Sequence, residues 1–127
     1  MIEIVWEFVV KREFREQFEL TYGPGGVWSK LFASSTGFRG ITVLRDTKDP
    51  RRYLTIEVWD TETQRAQALA EHAAAHSQLE ADLGRWVDSK NEVGIYSVQG
   101  QAAVRPRGKA MRAKGEANLR SGSETSW

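Results

Sequence analysis

The segment Tyr53-Leu-Thr-Ile-Glu-Val-Trp59, with its continuation to Trp86, decides the fold. Leu54, Ile56 and Val58 alternate with Tyr53, Thr55, Glu57 and Trp59. A period of two in β-branched and aromatic residues predicts a sheet strand. From about Asp60 the period lengthens. Leu69, His72, His76, Leu79, Leu83 and Trp86 recur at steps of three and four, which sets them along one side of a helix that faces the core. Thr61 and Gln64 have the spacing of a capping box that starts this helix, and one break is expected near Ala70. The two histidines on this otherwise apolar stripe are the only ones in the protein.

Working outward, Ile2, Ile4, Trp6, Phe8 and Val10 alternate with Glu3, Val5, Glu7 and Val9, a first strand with one strongly apolar face. Phe14, Phe18 and Tyr22 follow at steps of four and predict an amphipathic helix over about 12–22. Gly23-Pro-Gly-Gly26 breaks it, because proline lacks an amide donor and glycine favours turn geometry. Val27, Trp28, Leu31 and Phe32 fit one side of a short second helix. Ile41-Thr-Val-Leu44 predicts a strand joined through Asp46 to Pro50 to the strand at 53–59, as an antiparallel hairpin. Lys90 to Gln99 alternates once more and ends the domain. The order β-α-β-β-α-β, with an extra short helix, predicts an α+β, ferredoxin-like fold on an antiparallel sheet. Helices on one side leave an apolar sheet face uncovered, which predicts a homodimer formed sheet to sheet.

A chain of 127 residues supports one compact domain, expected at 1–99 and followed by a basic, glycine-containing tail at 100–127. Apolar residues at 40% and charged residues at 28% fit a globular protein. No run approaches the roughly 18 to 20 apolar residues of a membrane span. A strand starting at the N-terminus without a charged-then-apolar leader predicts a cytoplasmic location. With no cysteine, disulfide, thiolate and iron–sulfur chemistry are excluded. Residues 101–127 hold six cations against two carboxylates, a net of +4, so the first hundred sum to −3 of the chain's +1. Any grip on nucleic acid would therefore rest on the tail alone.

Three stretches together resemble the antibiotic biosynthesis monooxygenase (ABM) domain family: Tyr22 to Phe32, Gly37 through Arg45 and Asp46, and Pro50 to Trp59. The likeness extends over about residues 2–99. It implies a dimeric α/β barrel of the ferredoxin-like type, and an activity among cofactor-free oxygenases of phenolic or quinol substrates, haem-degrading enzymes, or members without catalysis. The haem-degrading branch uses an Asn on the first strand, a Trp on the later helix and a His further along it. Here the first position falls on Trp6 and the second near Ala68, while His76 lies close to the third. Two of three elements are missing, which weighs against haem degradation.

The candidate catalytic residues are His72 and His76, whose i and i+4 spacing sends both rings into the same space. A neutral imidazole on the floor of an apolar pocket can take a proton from a phenol. The resulting phenolate can reduce dioxygen without any cofactor. Trp6, Phe8, Tyr22, Trp28 and Phe32, with Leu69, are the candidate pocket lining for a small, flat aromatic molecule. Trp28 and Phe32 follow the glycine-rich turn and suit a lid. The plainer reading makes these aromatics core and the histidines a polar pair at the helix edge, in a non-catalytic ligand-binding or dimerisation module. A metal would need a third ligand, for which only Glu7 or Glu57 comes within reach. Glu3, Glu7 and Glu57 are expected to form ion pairs with Arg39 or Arg45 at the dimer contact.

Overall fold

Strand β1 (Ile2–Val10) runs antiparallel to β3 (Arg52–Trp59) on one side and to β4 (Val87–Ser97) on the other. Strand β2 (Phe38–Arg45) pairs with the far side of β3, so the sheet order is β2-β3-β1-β4. This is the order that a ferredoxin-like βαββαβ chain produces. The structure, a computed structural model, describes residues 1–105. Most of the basic tail expected at 100–127 lies outside the described residues.

Four helices pack on one face: α1 (Arg15–Tyr22), preceded by a 3₁₀ turn at Arg12–Phe14, then α2 (Val27–Phe32), α3 (Glu62–Glu71) and α4 (Ala73–Trp86). Their stripes meet the strand residues that sequence parity assigns to that side. Ile4, Phe8 and Val10 of β1 and Tyr53, Thr55 and Trp59 of β3 are buried there, together with Phe18, Phe32 and Leu83 from the helices. Each fully buried aromatic ring contributes roughly 1.5–3 kcal/mol relative to exposure, so this layer supplies most of the driving force.

Two local devices aim side chains at the later site. Gly26 starts α2, and a Cβ there would lie 2.3 Å from the Leu20 carbonyl oxygen and 2.4 Å from that of Thr21. Only glycine permits so close an approach of the turn to the end of α1, and it holds Trp28 against Tyr22, ring centroids 6.3 Å apart. In β1, a register shift between Val5 and Trp6 sets Trp6 opposite Glu92 and Phe8 opposite Lys90. Such irregularities re-aim side chains, and here Lys90 Nζ stands 4.5 Å from the centre of the Trp6 ring.

The helical run begins as expected, with the Gln64 amide donating to Thr61 Oγ1 at 3.1 Å. Its break falls at His72, where φ is −110° and ψ is 27°, two residues beyond the predicted Ala70. Small alanines on either side tolerate the bend, and the His72 and His76 rings meet the Phe32 ring edge-on at 5.6 and 6.2 Å.

The opposite sheet face carries Val5, Val9, Leu54, Ile56 and Val58, all half-buried, with Leu44 and Tyr96 exposed at its margins. Glu7 lies on this face and is paired with Arg52 at 2.5 Å. The expected pairing of Glu3, Glu7 and Glu57 with Arg39 or Arg45 is therefore corrected. Arg39 binds Asp60 at 2.7 Å and Arg45 lies 3.4 Å from Glu19. Glu57, opposite Ile4 in the register, belongs to the helix side of the sheet. Charge alone suggested a solvent or dimer face; strand parity placed this carboxylate in the core.

Candidate functional site

Beneath the helices lies a cavity of about 150 Å³. Every strand and every helix contributes to its wall. Trp6, Phe8, Tyr22 and Trp28 supply the aromatic part, and Ile41 and Thr55 complete the sheet side. The polar part comes from two ion pairs and one imidazole: Glu57 with Arg65, Glu80 with Lys90, and His76.

His76 is 26% exposed at its side chain, and its Nε2 lies 3.5 Å from Glu80 Oε2. Glu80 also accepts from Lys90 Nζ through its other oxygen. Glu80 is thus shared between the His76 ring and the Lys90 ammonium. Glu57 is only 2% exposed. Its Oε1 accepts from Trp59 Nε1 at 2.7 Å and from Arg65 Nε at 2.6 Å, the pairing that a buried carboxylate requires.

Of the predicted lining residues, Trp6, Phe8, Tyr22 and Trp28 form the wall. Phe32 and Leu69 do not reach it. Phe32 is buried behind Trp28, ring centroids 4.5 Å apart, and Leu69 packs at the margin of the core. Of the two histidines only His76 borders the cavity, while His72 rests against Phe32 at the helix break. Sequence reasoning missed Arg65, Glu80 and Lys90, together with Ile41 and Thr55, and it set Glu57 at the dimer contact rather than in this wall. For Glu80 the signal was available, since it lies four residues beyond His76 and so one turn along the same side. No group of three His, Asp or Glu able to hold a metal occurs among the described residues.

Burial, reinforced by the carboxylates of Glu80 and Glu57, pushes the Tyr22 phenol well above the ordinary tyrosine range. The unfolded chain ionises at about pH 10, where folded Tyr22 keeps its proton. Its contribution to stability is therefore complete below that pH and is lost as the pH rises further. The slope should reach about 1.4 kcal/mol per pH unit from this residue. Urea titrations at a series of alkaline pH values should show a gentler decline for Tyr22→Phe than for the parent protein. Parallel declines would show that Tyr22 ionises without penalty.

A larger groove of about 650 Å³ lies between α1 and the β2–β3 turn, walled by Arg15, Glu19, Arg45 and Asp46 among others. It is open to solvent, and Glu19 and Asp46 are already engaged by Arg45 and Arg52. It offers no enclosed apolar surface to a flat molecule. Among the described residues no helix is long and apolar enough to cross a membrane.

A ferredoxin-like α+β domain with an aromatic, histidine-bordered cavity between sheet and helices defines the class. Residues 1–81 match the family model of the antibiotic biosynthesis monooxygenases, and the chain belongs to that family. Among solved structures it is similar to SnoaB, a cofactor-independent oxygenase from Streptomyces nogalater, at 24% identity and a TM-score of 0.54, covering 79% of this chain and 94% of that one. A Nitrosomonas europaea protein provisionally assigned to the antibiotic biosynthesis monooxygenases is 19% identical with a TM-score of 0.59, over 79% of this chain and all (100%) of that one. One from Deinococcus radiodurans with the same provisional assignment is 16% identical with a TM-score of 0.61, over 84% and 100%. At these identities the likeness speaks for the fold. No curated protein matches the sequence.

Proposed function

We propose that the protein is a dimeric, cofactor-independent monooxygenase of a small aromatic or quinol-like compound, with His76 as the base. The observation that carries this reading is the position of His76, on the wall of an aromatic cavity with Glu80 at 3.5 Å from its ring. Family membership and the oxygenase among the similar structures support it.

The chemistry follows from those groups. His76 removes a phenolic proton, and Glu80 stabilises the imidazolium. The phenolate passes one electron to dioxygen, and the cavity holds the radical pair away from water until it recombines at a ring carbon. Loss of water then leaves one oxygen atom on the ring. For a hydroquinone the balance is hydroquinone plus dioxygen giving hydroxyquinone plus water. His72 acts through packing, by keeping Phe32 and the break between α3 and α4 in place.

Oxygen uptake with hydroquinones and anthrones tests the reading against the uncatalysed background. General-base catalysis contributes on the order of 10²-fold or more, so His76→Ala should lose about that factor while His72→Ala loses less. Equal background rates in the parent and both variants would reject catalysis by this pair. Ligand binding without uptake would leave a non-catalytic binding module of the same fold.

A further inference from the structure

Glu57 has one oxygen to spare. Both of its donors, Trp59 Nε1 and Arg65 Nε, converge on Oε1, and no described residue donates to Oε2. The only fully enclosed side-chain polar atom left without a partner among the described residues is Ser35 Oγ. Oε2 is therefore not sealed in protein. Since Glu57 is 2% exposed and lines the cavity, the surface left to Oε2 is cavity surface. An ionised carboxylate accepts and cannot donate, and a charged acceptor withdrawn from bulk water favours a ligand that brings a hydrogen. Arg65 already balances its charge, so the preferred donor is a neutral hydroxyl rather than a cation.

Size sharpens the choice. A cavity of about 150 Å³ accommodates one benzene ring, and the cavity here has that volume. Trp6 and Trp28 give it aromatic walls, suited to stacking on a planar guest.

We propose that Glu57 Oε2 is the specificity-determining acceptor of this cavity and that it selects single-ring phenols, the hydroxyl donating to Oε2. This rests on the cavity being the ligand site of the proposed oxygenase, but not on turnover. Hydroquinone, p-cresol and p-xylene share one shape and carry two, one and no hydroxyl groups. Calorimetric titration of the full chain under nitrogen separates the cases, because transfer from water alone favours p-xylene.

Hydroquinone and p-cresol should each bind about tenfold or more tighter than p-xylene. Glu57→Gln, which can keep a carbonyl for Trp59 and turn an amide donor toward the cavity, should remove that preference while leaving p-xylene binding unchanged. Equal or tighter binding of p-xylene by the parent protein would overturn the proposal, whether or not the variant folds. Anthrone binding as tightly as hydroquinone would overturn the single-ring limit. Phenol binding without oxygen uptake would uphold Glu57 and reject the oxygenase, whereas uptake confined to polycyclic substrates would do the reverse.

Discussion

Arg65→Met, with Glu57 left in place, should destabilise the protein by about 3–5 kcal/mol, the cost of leaving a buried charge without its partner. Glu57 is 2% exposed and Arg65 donates to it at 2.6 Å. Methionine preserves much of the apolar stem, so lost packing contributes little. The double variant Glu57→Gln/Arg65→Met removes both charges and keeps an acceptor for Trp59 Nε1. It should recover all but about 1 kcal/mol, because no charge is left buried and the Trp59 indole keeps its acceptor. Urea denaturation of the parent, both single variants and the double variant measures the coupling directly. Simple additivity of the two single changes would mean that the charges do not interact across the core.

The second large effect is expected on the uncovered sheet face, where Ile56 sits among Val5, Leu54 and Val58. Ile56 pairs with Val5 and with Thr42 in the register, so it lies on the central strands and far from any helix. In the proposed sheet-to-sheet dimer a two-fold contact presents each substitution twice. A lysine in a desolvated contact costs about 2 kcal/mol or more per copy, and two copies weaken association on the order of 10³-fold. Sedimentation should show a dimer for the parent and a monomer for Ile56→Lys at the same concentration. A monomeric parent, or a variant that stays dimeric, would refute that mode of assembly. Because Ile56 points away from the cavity, p-cresol binding by the variant reports whether the site needs the partner subunit.

The behaviour of Glu57 shows where reading a sequence reaches its limit. Alternation along 53–59 states that Glu57 shares a face with Tyr53, Thr55 and Trp59. Nothing in that alternation says which face the helices cover, since Leu54, Ile56 and Val58 make an equally apolar alternative. The register of β3 against β1 answers it, because Ile4 stands opposite Glu57 and both lie under the helices. Arg65 could not be recognised as the partner beforehand for the same reason. Its guanidinium reaches Glu57 only once α3 is laid across the sheet.

By itself the sequence determined the order of elements, the antiparallel ferredoxin-like class, the turn at Gly23–Gly26 and the shared side of His72 and His76. Those are consequences of backbone periods and turn chemistry, which act over a few residues. Only the tertiary structure decided that His76 and not His72 borders the cavity, that Phe32 stands behind Trp28, and that Glu80 and Lys90 complete the wall. A cavity is the space left when all eight strands and helices come together, so its lining depends on distances between residues as far apart in the chain as Trp6 and Lys90. No local pattern encodes those distances; packing sets them.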